Sequence, residues 1–309
     1  MGMLIDGRWH SDADHSMVSG TYRREASALP TSIDAQVLQE IASEPGRFFL
    51  IASASCPWCH AAVIALIFAG WRESIDIQWA GGQRIEGYRL LPGGPTPDRS
   101  DFQHVHQFYT STDPNYTGRS TVPVLWDAKH RKVLSNSSED IIVAFNDIGR
   151  GINFRPEGML NDIEKLTKHI FDGLSNAVYR AGNSERQDEY DEAADHAFRT
   201  LNELEDRLKT QPFLFGTTVT QADIRLFATL VRFDTVYATH FRCTRKRLVD
   251  YPLLWRFTRR IFQMPGIKET VDFNEIRSGY YVNDGSHNPF GIVAQQPEID
   301  WESRDGLDE

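Results

Sequence analysis

An α/β domain followed by an all-helical domain is the fold class that three observations predict. An apolar stretch, Phe48-Phe49-Leu50-Ile51-Ala52, runs into Cys56-Pro57-Trp58-Cys59-His60, and an apolar helical run to Trp71 begins at once. Strand and helix patterns alternate from Arg47 to about Asn146. Beyond Arg155-Pro156 the strand signals fade and apolar residues recur at helical spacing instead. The 309 residues leave room for two cores, and we divide them into an extension (1–46), an α/β domain (47–150), a helical domain (156–285) and a tail (286–309).

Composition narrows the function classes. Hydrophobic residues at 40% and charged residues at 25% are ordinary for a globular protein. The formal net charge of -10 argues against a broad nucleic-acid-binding face. Met1-Gly2-Met3-Leu4-Ile5-Asp6 does not read as a secretory signal, and no apolar run is long enough for a membrane span. Three cysteines make no disulfide framework, so a reducing cytoplasm is expected, where a Cys-x-x-Cys pair favours catalysis over structure.

Taken in order, the extension is polar and broken, with Gly20-Thr21-Tyr22-Arg23-Arg24 and an expected cap at Thr31 or Ser32 before a short helix. Next come a strand (48–52), a helix (61–69) and a second strand (75–79). The Gly and Pro residues of Gly81-Gly82 and Pro92-Gly93-Gly94-Pro95-Thr96-Pro97 predict an irregular insertion. Turn residues at 113–119 precede a strand opened by Val122-Pro123. A further strand around Val133-Leu134 leads to Asn136-Ser137-Ser138, which caps a helix carrying carboxylates in its first turn. The order βαβ, insertion, ββα fits a thioredoxin-like sheet. In the helical domain, Ile163, Leu166, Ile170 and Leu174 share a face, as do Leu201, Leu204 and Leu208. Thr220-Gln221-Ala222-Asp223 is a capping box, and Pro252 and Pro265-Gly266 punctuate the later helices. The tail reads as irregular chain.

The chemistry centres on Cys56. A thiol at a helix N-terminus meets unpaired N–H groups and the positive end of the helix dipole, both of which favour thiolate. A half zinc site would read the same way, but no second cysteine pair exists. His60 is adjacent, and His104 and His106 are remote and read as surface residues, so no metal is expected. In thioredoxin-like folds the proline matching Pro123 is cis, and the residue before it pairs with a bound thiol; the bland alternative is an edge-strand proline. Arg242, Arg245, Lys246 and Arg247 read as a solvated basic turn with an inert Cys243.

With these pieces assembled, the chain resembles the glutathione transferase superfamily and, within it, the glutathionyl-hydroquinone reductases of the Xi class. The resemblance rests on Cys56-Pro57-Trp58, Asp113-Pro114-Asn115-Tyr116-Thr117-Gly118-Arg119, Thr121-Val122-Pro123-Val124-Leu125-Trp126-Asp127, Ala222-Asp223-Ile224-Arg225-Leu226, Val231-Arg232-Phe233-Asp234, His240-Phe241-Arg242-Cys243, Met264-Pro265-Gly266-Ile267 and Asn288-Pro289-Phe290-Gly291-Ile292. It implies a nucleophilic Cys56 and a glutathione site at Tyr88, Arg119, Ser120, Thr121, Val122, Ser137 and Ser138. It also implies active-site tyrosines at Tyr179, Tyr237 and Tyr280, with Tyr179 as proton donor, and a homodimer. The implied substrates are a small thiol and an aromatic hydroquinone conjugate, with no nucleotide, metal, nucleic acid or membrane partner. Conjugating transferase, glutaredoxin-like dithiol and non-catalytic binding readings stand as alternatives.

Several positions depart from the family pattern. Cys59 stands where the family usually has Ala, and Ala61 where it has Arg. Ser137-Ser138 replaces Glu-Ser, and Tyr88 replaces a Trp. The lost carboxylate and indole imply a pocket open to another low-molecular-weight thiol, such as mycothiol or γ-glutamylcysteine.

Overall fold

The computed structural model describes residues 2–11, 17–18, 21–22, 29, 33–96, 101–285 and 287–307. Thr31, Ser32, Gly20, Arg23, Arg24 and Pro97, which carried sequence expectations, lie outside them. The chain forms two compact units. The first comprises Met1–His15, Glu25–Ile152 and Asn274–Val293, and the second Ser16–Arg24, Asn153–Phe273 and Ala294–Glu309. Residues 274–293, expected in the helical domain and tail, therefore group with the α/β unit.

The first unit opens with a hairpin of β1 (Met3–Ile5) and β2 (Arg8–His10). Leu4 pairs through its N–H and its C=O with Gly118, at 2.9 Å each, which ties the extension to the turn before Arg119. A second short pair, β3 (Met17–Val18) and β4 (Thr21–Tyr22), groups with the helical unit. Helix α1 (Ala35–Ser43) is capped by Asp34, whose carboxylate accepts from Val37 N–H.

The central sheet has the order β7-β6-β5-β8-β9. Strand β5 (Phe48–Ala52) is buried along its whole length, as a central strand covered on both faces must be. It runs parallel to β6 (Asp76–Gly81) and antiparallel to β8 (Val124–Asp127). Within the insertion, residues Arg89–Leu90 pair with β6 as β7, so a stretch expected to be irregular supplies an edge strand. Strand β9 (Lys132–Ser135) closes the other edge. Helix α2 (Pro57–Phe68), which starts four residues earlier than the apolar pattern suggests, packs on α4 (Ser138–Asp147). Almost every side chain of α2 is buried, which explains its apolar character on all faces. Helix α3 (His106–Thr112) leads back towards the sheet.

Register at the sheet end is fixed by a buried ion pair. Phe48 lies opposite Asp127, and the neighbouring Arg47 donates from Nε (2.9 Å) and Nη2 (2.6 Å) to the two carboxylate oxygens of Asp127. Burial alone would raise the Asp127 pKa, but hydrogen bonds from Arg47 and His130 prevail and bring it down to about 2.

The second unit is helical: α5 (Leu160–Ile170), α6 (Asn176–Gly182), α7 (Gln187–Arg207), α8 (Gln221–Leu230) and α9 (Pro252–Phe262). Helix α8 is buried on every face and opens with the expected Thr220/Asp223 capping box. A π-helical turn, Phe171–Ser175, joins α5 to α6, and another, Phe233–Tyr237, follows α8. The tail is irregular, yet Trp301 is buried against Trp255, Phe262 and Phe273. No described helix is long and apolar enough to cross a membrane. Helix α10 (Phe273–Tyr281) begins where the second unit ends and carries the chain back into the first.

Candidate active site

Cys56 is the N-cap of α2. Its backbone is extended (φ -83°, ψ 117°), its C=O accepts from His60 N–H at 3.0 Å, and its sulfur accepts from Cys59 N–H at 3.3 Å. The sulfur thus takes the place that a Ser or Asp oxygen usually fills at a cap, where negative charge is favoured. Across from it, the Sγ–H group points at Val122 C=O, 3.7 Å away. The Val122-Pro123 bond is cis, as the thioredoxin-like pattern predicts. Cys56 is 8% exposed and Cys59 fully buried, and none of the three cysteines is in a disulfide.

Two tyrosines hold the backbone around Val122. Tyr109 donates to Thr121 C=O (2.7 Å) and accepts from Asn136 Nδ2 (2.9 Å), while Tyr116 donates to Arg119 C=O (3.1 Å). Burial pushes the Tyr109 phenol well above its usual range, so it acts as a fixed donor. Ser120 is buried, and its hydroxyl has no hydrogen-bond partner among the described residues. Ser137 caps α4 by accepting from Asp140 N–H (3.2 Å), and Ser138 is the first residue of that helix.

Tyr88 comes from the insertion. The Arg84 guanidinium lies over its ring, 4.3 Å from the centroid, and also donates to Ser55 Oγ at 3.3 Å. Burial, opposed by Arg84 and reinforced by the nearby Cys56 and Cys59 thiols, raises the Tyr88 pKa to about 12. Arg84 N–H donates to Asn283 Oδ1 (2.8 Å), and Asn283 donates to Gly82 C=O (3.2 Å) and Gly279 C=O (3.1 Å). A Cβ on Gly279 would come within 2.4 Å of Ser55 Cβ, so α10 touches the turn that presents Cys56. Tyr280 is the next residue along that helix.

Of the residues singled out in the sequence, Cys56, Cys59, Tyr88, Arg119, Ser120, Thr121, Val122, Ser137, Ser138 and Tyr280 belong to the first unit. Tyr179 and Tyr237 belong to the second, where their ring centroids lie 6.0 Å apart and both pack on Phe241. Tyr237 closes one π-helical turn, and Tyr179 follows the other. Such turns recur at functional positions.

Sequence reasoning missed Arg84, Asn283, Tyr109 and Tyr116. Only Gly279 left a trace, as a lone glycine in a helical pattern that demands a packing reason. Two assignments change, that of the histidine pair and that of Arg242, while Cys243 is as expected. His104 and His106 are not surface residues but partly buried, stacked on each other at 5.5 Å. Arg242 is not simply solvated, since it donates to Gly182 C=O at 2.9 Å, and Arg245 pairs with Asp195. Cys243 is buried, which pushes its pKa up to about 12 and keeps it an inert thiol.

Residues 187–260 match the glutathione S-transferase C-terminal domain family. The chain is 37% identical to the glutathionyl-hydroquinone reductase YqjG of Escherichia coli K12, over 100% of this chain and 99% of that protein. The chain belongs to the glutathionyl-hydroquinone reductase family. The structure superposes on a Xi class glutathione transferase from Natrialba magadii with a TM-score of 0.89 (32% identity; 100% of this chain, 97% of the other). It also superposes on the glutathione-bound structure of the E. coli protein with a TM-score of 0.85 (35% identity; 99% of each chain). The glutathione transferase fold, with its thioredoxin-like and helical domains, is therefore as the sequence predicts.

Proposed function

We propose that the chain is a thiol-dependent reductase that removes glutathione from S-conjugated hydroquinones. The observation that carries the reading is the Cys56 sulfur capping α2 within reach of Val122 C=O. A thiolate there attacks the sulfur of the conjugate. The new S–S bond forms as the aromatic C–S bond breaks, and the aromatic carbon takes a proton. A second thiol then reduces the mixed disulfide on Cys56, which leaves as thiol disulfide while Cys56 returns as thiolate.

Arg119, Ser120, Thr121 and the Val122 backbone hold the thiol, with Ser137, Ser138 and Tyr88 beside them. The buried Ser120 hydroxyl supports this assignment, because such a group costs about 1–3 kcal/mol until a ligand satisfies it. Tyr179 is the proton donor and Tyr237 and Tyr280 tune the thiolate, assignments that rest on the family resemblance. The same resemblance makes the protein a cytoplasmic homodimer, which light scattering of the purified chain tests.

Mass spectrometry after incubation with a glutathionyl-hydroquinone is expected to show a glutathione adduct on Cys56 and one disulfide per hydroquinone released. Release without disulfide, or net consumption of a single thiol per product, favours a conjugating transferase instead. We further propose that the pocket takes a second low-molecular-weight thiol of the mycothiol or γ-glutamylcysteine type. The Ser137 hydroxyl is spent on its own helix and offers no carboxylate to a ligand amine. Kinetics on matched conjugates decide this, and glutathione equal to every rival thiol overturns it.

A further inference from the structure

Glu86, His104 and His106 converge outside the thiol site, within the same unit. One ligand atom from each lies within 4.8 Å of the other two. Glu86 Oε2 is 3.8 Å from His104 Nδ1 and 3.8 Å from His106 Nε2, too long for hydrogen bonds. Tetrahedral zinc with bonds near 2.0–2.1 Å needs ligand separations of about 3.3 Å, so the carboxylate closes on each imidazole by about half an ångström and the two imidazoles, whose ligand atoms lie within 4.8 Å, draw together around the ion. His106 Nε2 is buried and has no hydrogen-bond partner among the described residues. Trp9 stacks on the His106 ring at 5.1 Å and backs the site with an apolar wall. A buried ring nitrogen aimed at a second imidazole and a carboxylate, without bonding to either, has the chemistry of a metal ligand.

We propose that Glu86, His104 and His106 form a binding site for a borderline divalent cation such as Zn²⁺, with a fourth position left to water. Glu86 comes from the turn before Tyr88, His104 from an isolated bridge to Arg89 and His106 from the first residue of α3, and these segments are already joined. Val105 N–H donates to Tyr88 C=O (2.9 Å), and Leu90 N–H donates to Gln103 C=O (2.8 Å). A bound ion therefore braces the segment that carries Tyr88 and stands apart from Cys56 and Cys59 in its ligand set.

Titration of the metal-free full chain with Co²⁺ tests the site. The expected result is one Co²⁺ per chain, displaced by Zn²⁺, with visible absorption of a nitrogen and oxygen ligand set and no thiolate charge-transfer band. Glu86→Gln and His104→Asn are expected to weaken binding by about tenfold or more, while Cys56→Ser leaves it unchanged. Glu86 is more than half exposed, so its substitution reports on binding rather than folding. Absence of binding, a thiolate band, or equal affinity in Glu86→Gln and the parent chain overturns the proposal.

Discussion

Cys56 and Cys59 stand three residues apart on one helix, yet the structure separates their chemistry. Cys56 keeps 8% of its surface and serves as the cap acceptor, whereas Cys59 is fully enclosed and contributes its backbone N–H to that sulfur. An enclosed thiol is poorly placed to meet a mixed disulfide unless the first turn of α2 opens, so the resolving thiol is expected to come from solution. Cys56→Ser is expected to abolish hydroquinone release. Cys59→Ser slows or reroutes only the second half-reaction, and single-turnover kinetics separate the two steps. Equal loss in both variants would show a dithiol mechanism. The Cys56 cap was legible in the sequence because strand, cysteine, proline and helix occur in one short window. Arg84 was not, because an arginine in a Gly-rich insertion carries no local signal. Its partners, Ser55, Tyr88 and Asn283, are brought to it only by the fold.

Helix α10 shows the same limit at the scale of an element. It falls within the stretch expected to be helical, but its allegiance was not readable, since periodicity says which face is apolar and not what that face meets. Gly279 is the contact that matters, because any side chain there collides with Ser55 immediately before Cys56. Gly279→Ala is expected to cost about 1–3 kcal/mol and to reduce turnover, as α10 is pushed off the Cys56 turn. Urea unfolding and steady-state kinetics check the two effects, and a variant with parental values in both would remove α10 from the site. Strand β7 was hidden for a related reason. Two residues among glycines and prolines give no period-two signal, and only pairing with β6 makes them a strand.

For the whole molecule, the two-part architecture was visible in the change of hydrophobic period near residue 155, while the cross-over of residues 274–293 was not. Stability should depend on acid through the Arg47–Asp127 pair that locks the sheet end. The folded Asp127 pKa, near 2, lies below its ordinary value of 3.8, so the contribution is complete above about pH 4 and fades as pH falls towards 2. The loss amounts to about 2 kcal/mol. Asp127→Asn is expected to lower stability by about 3 kcal/mol at neutral pH and to flatten the acid limb of the unfolding curve. An unchanged acid limb in that variant would assign the pH dependence to other carboxylates.

The capping role of the Cys56 sulfur ties oxidation state to folding. A sulfur tied up in a mixed disulfide is a poorer acceptor than a free thiol or thiolate, so the Cys59 N–H loses its best partner. Forming an adduct on Cys56 is therefore expected to loosen the first turn of α2, and reducing it to retighten that turn. Cys56→Ala should lower stability by about 1 kcal/mol, while Cys56→Ser, equally inactive but a competent cap, should retain it. Calorimetry of the two variants beside the glutathione-adducted protein would order the series: serine near the parent chain, alanine and adduct below it.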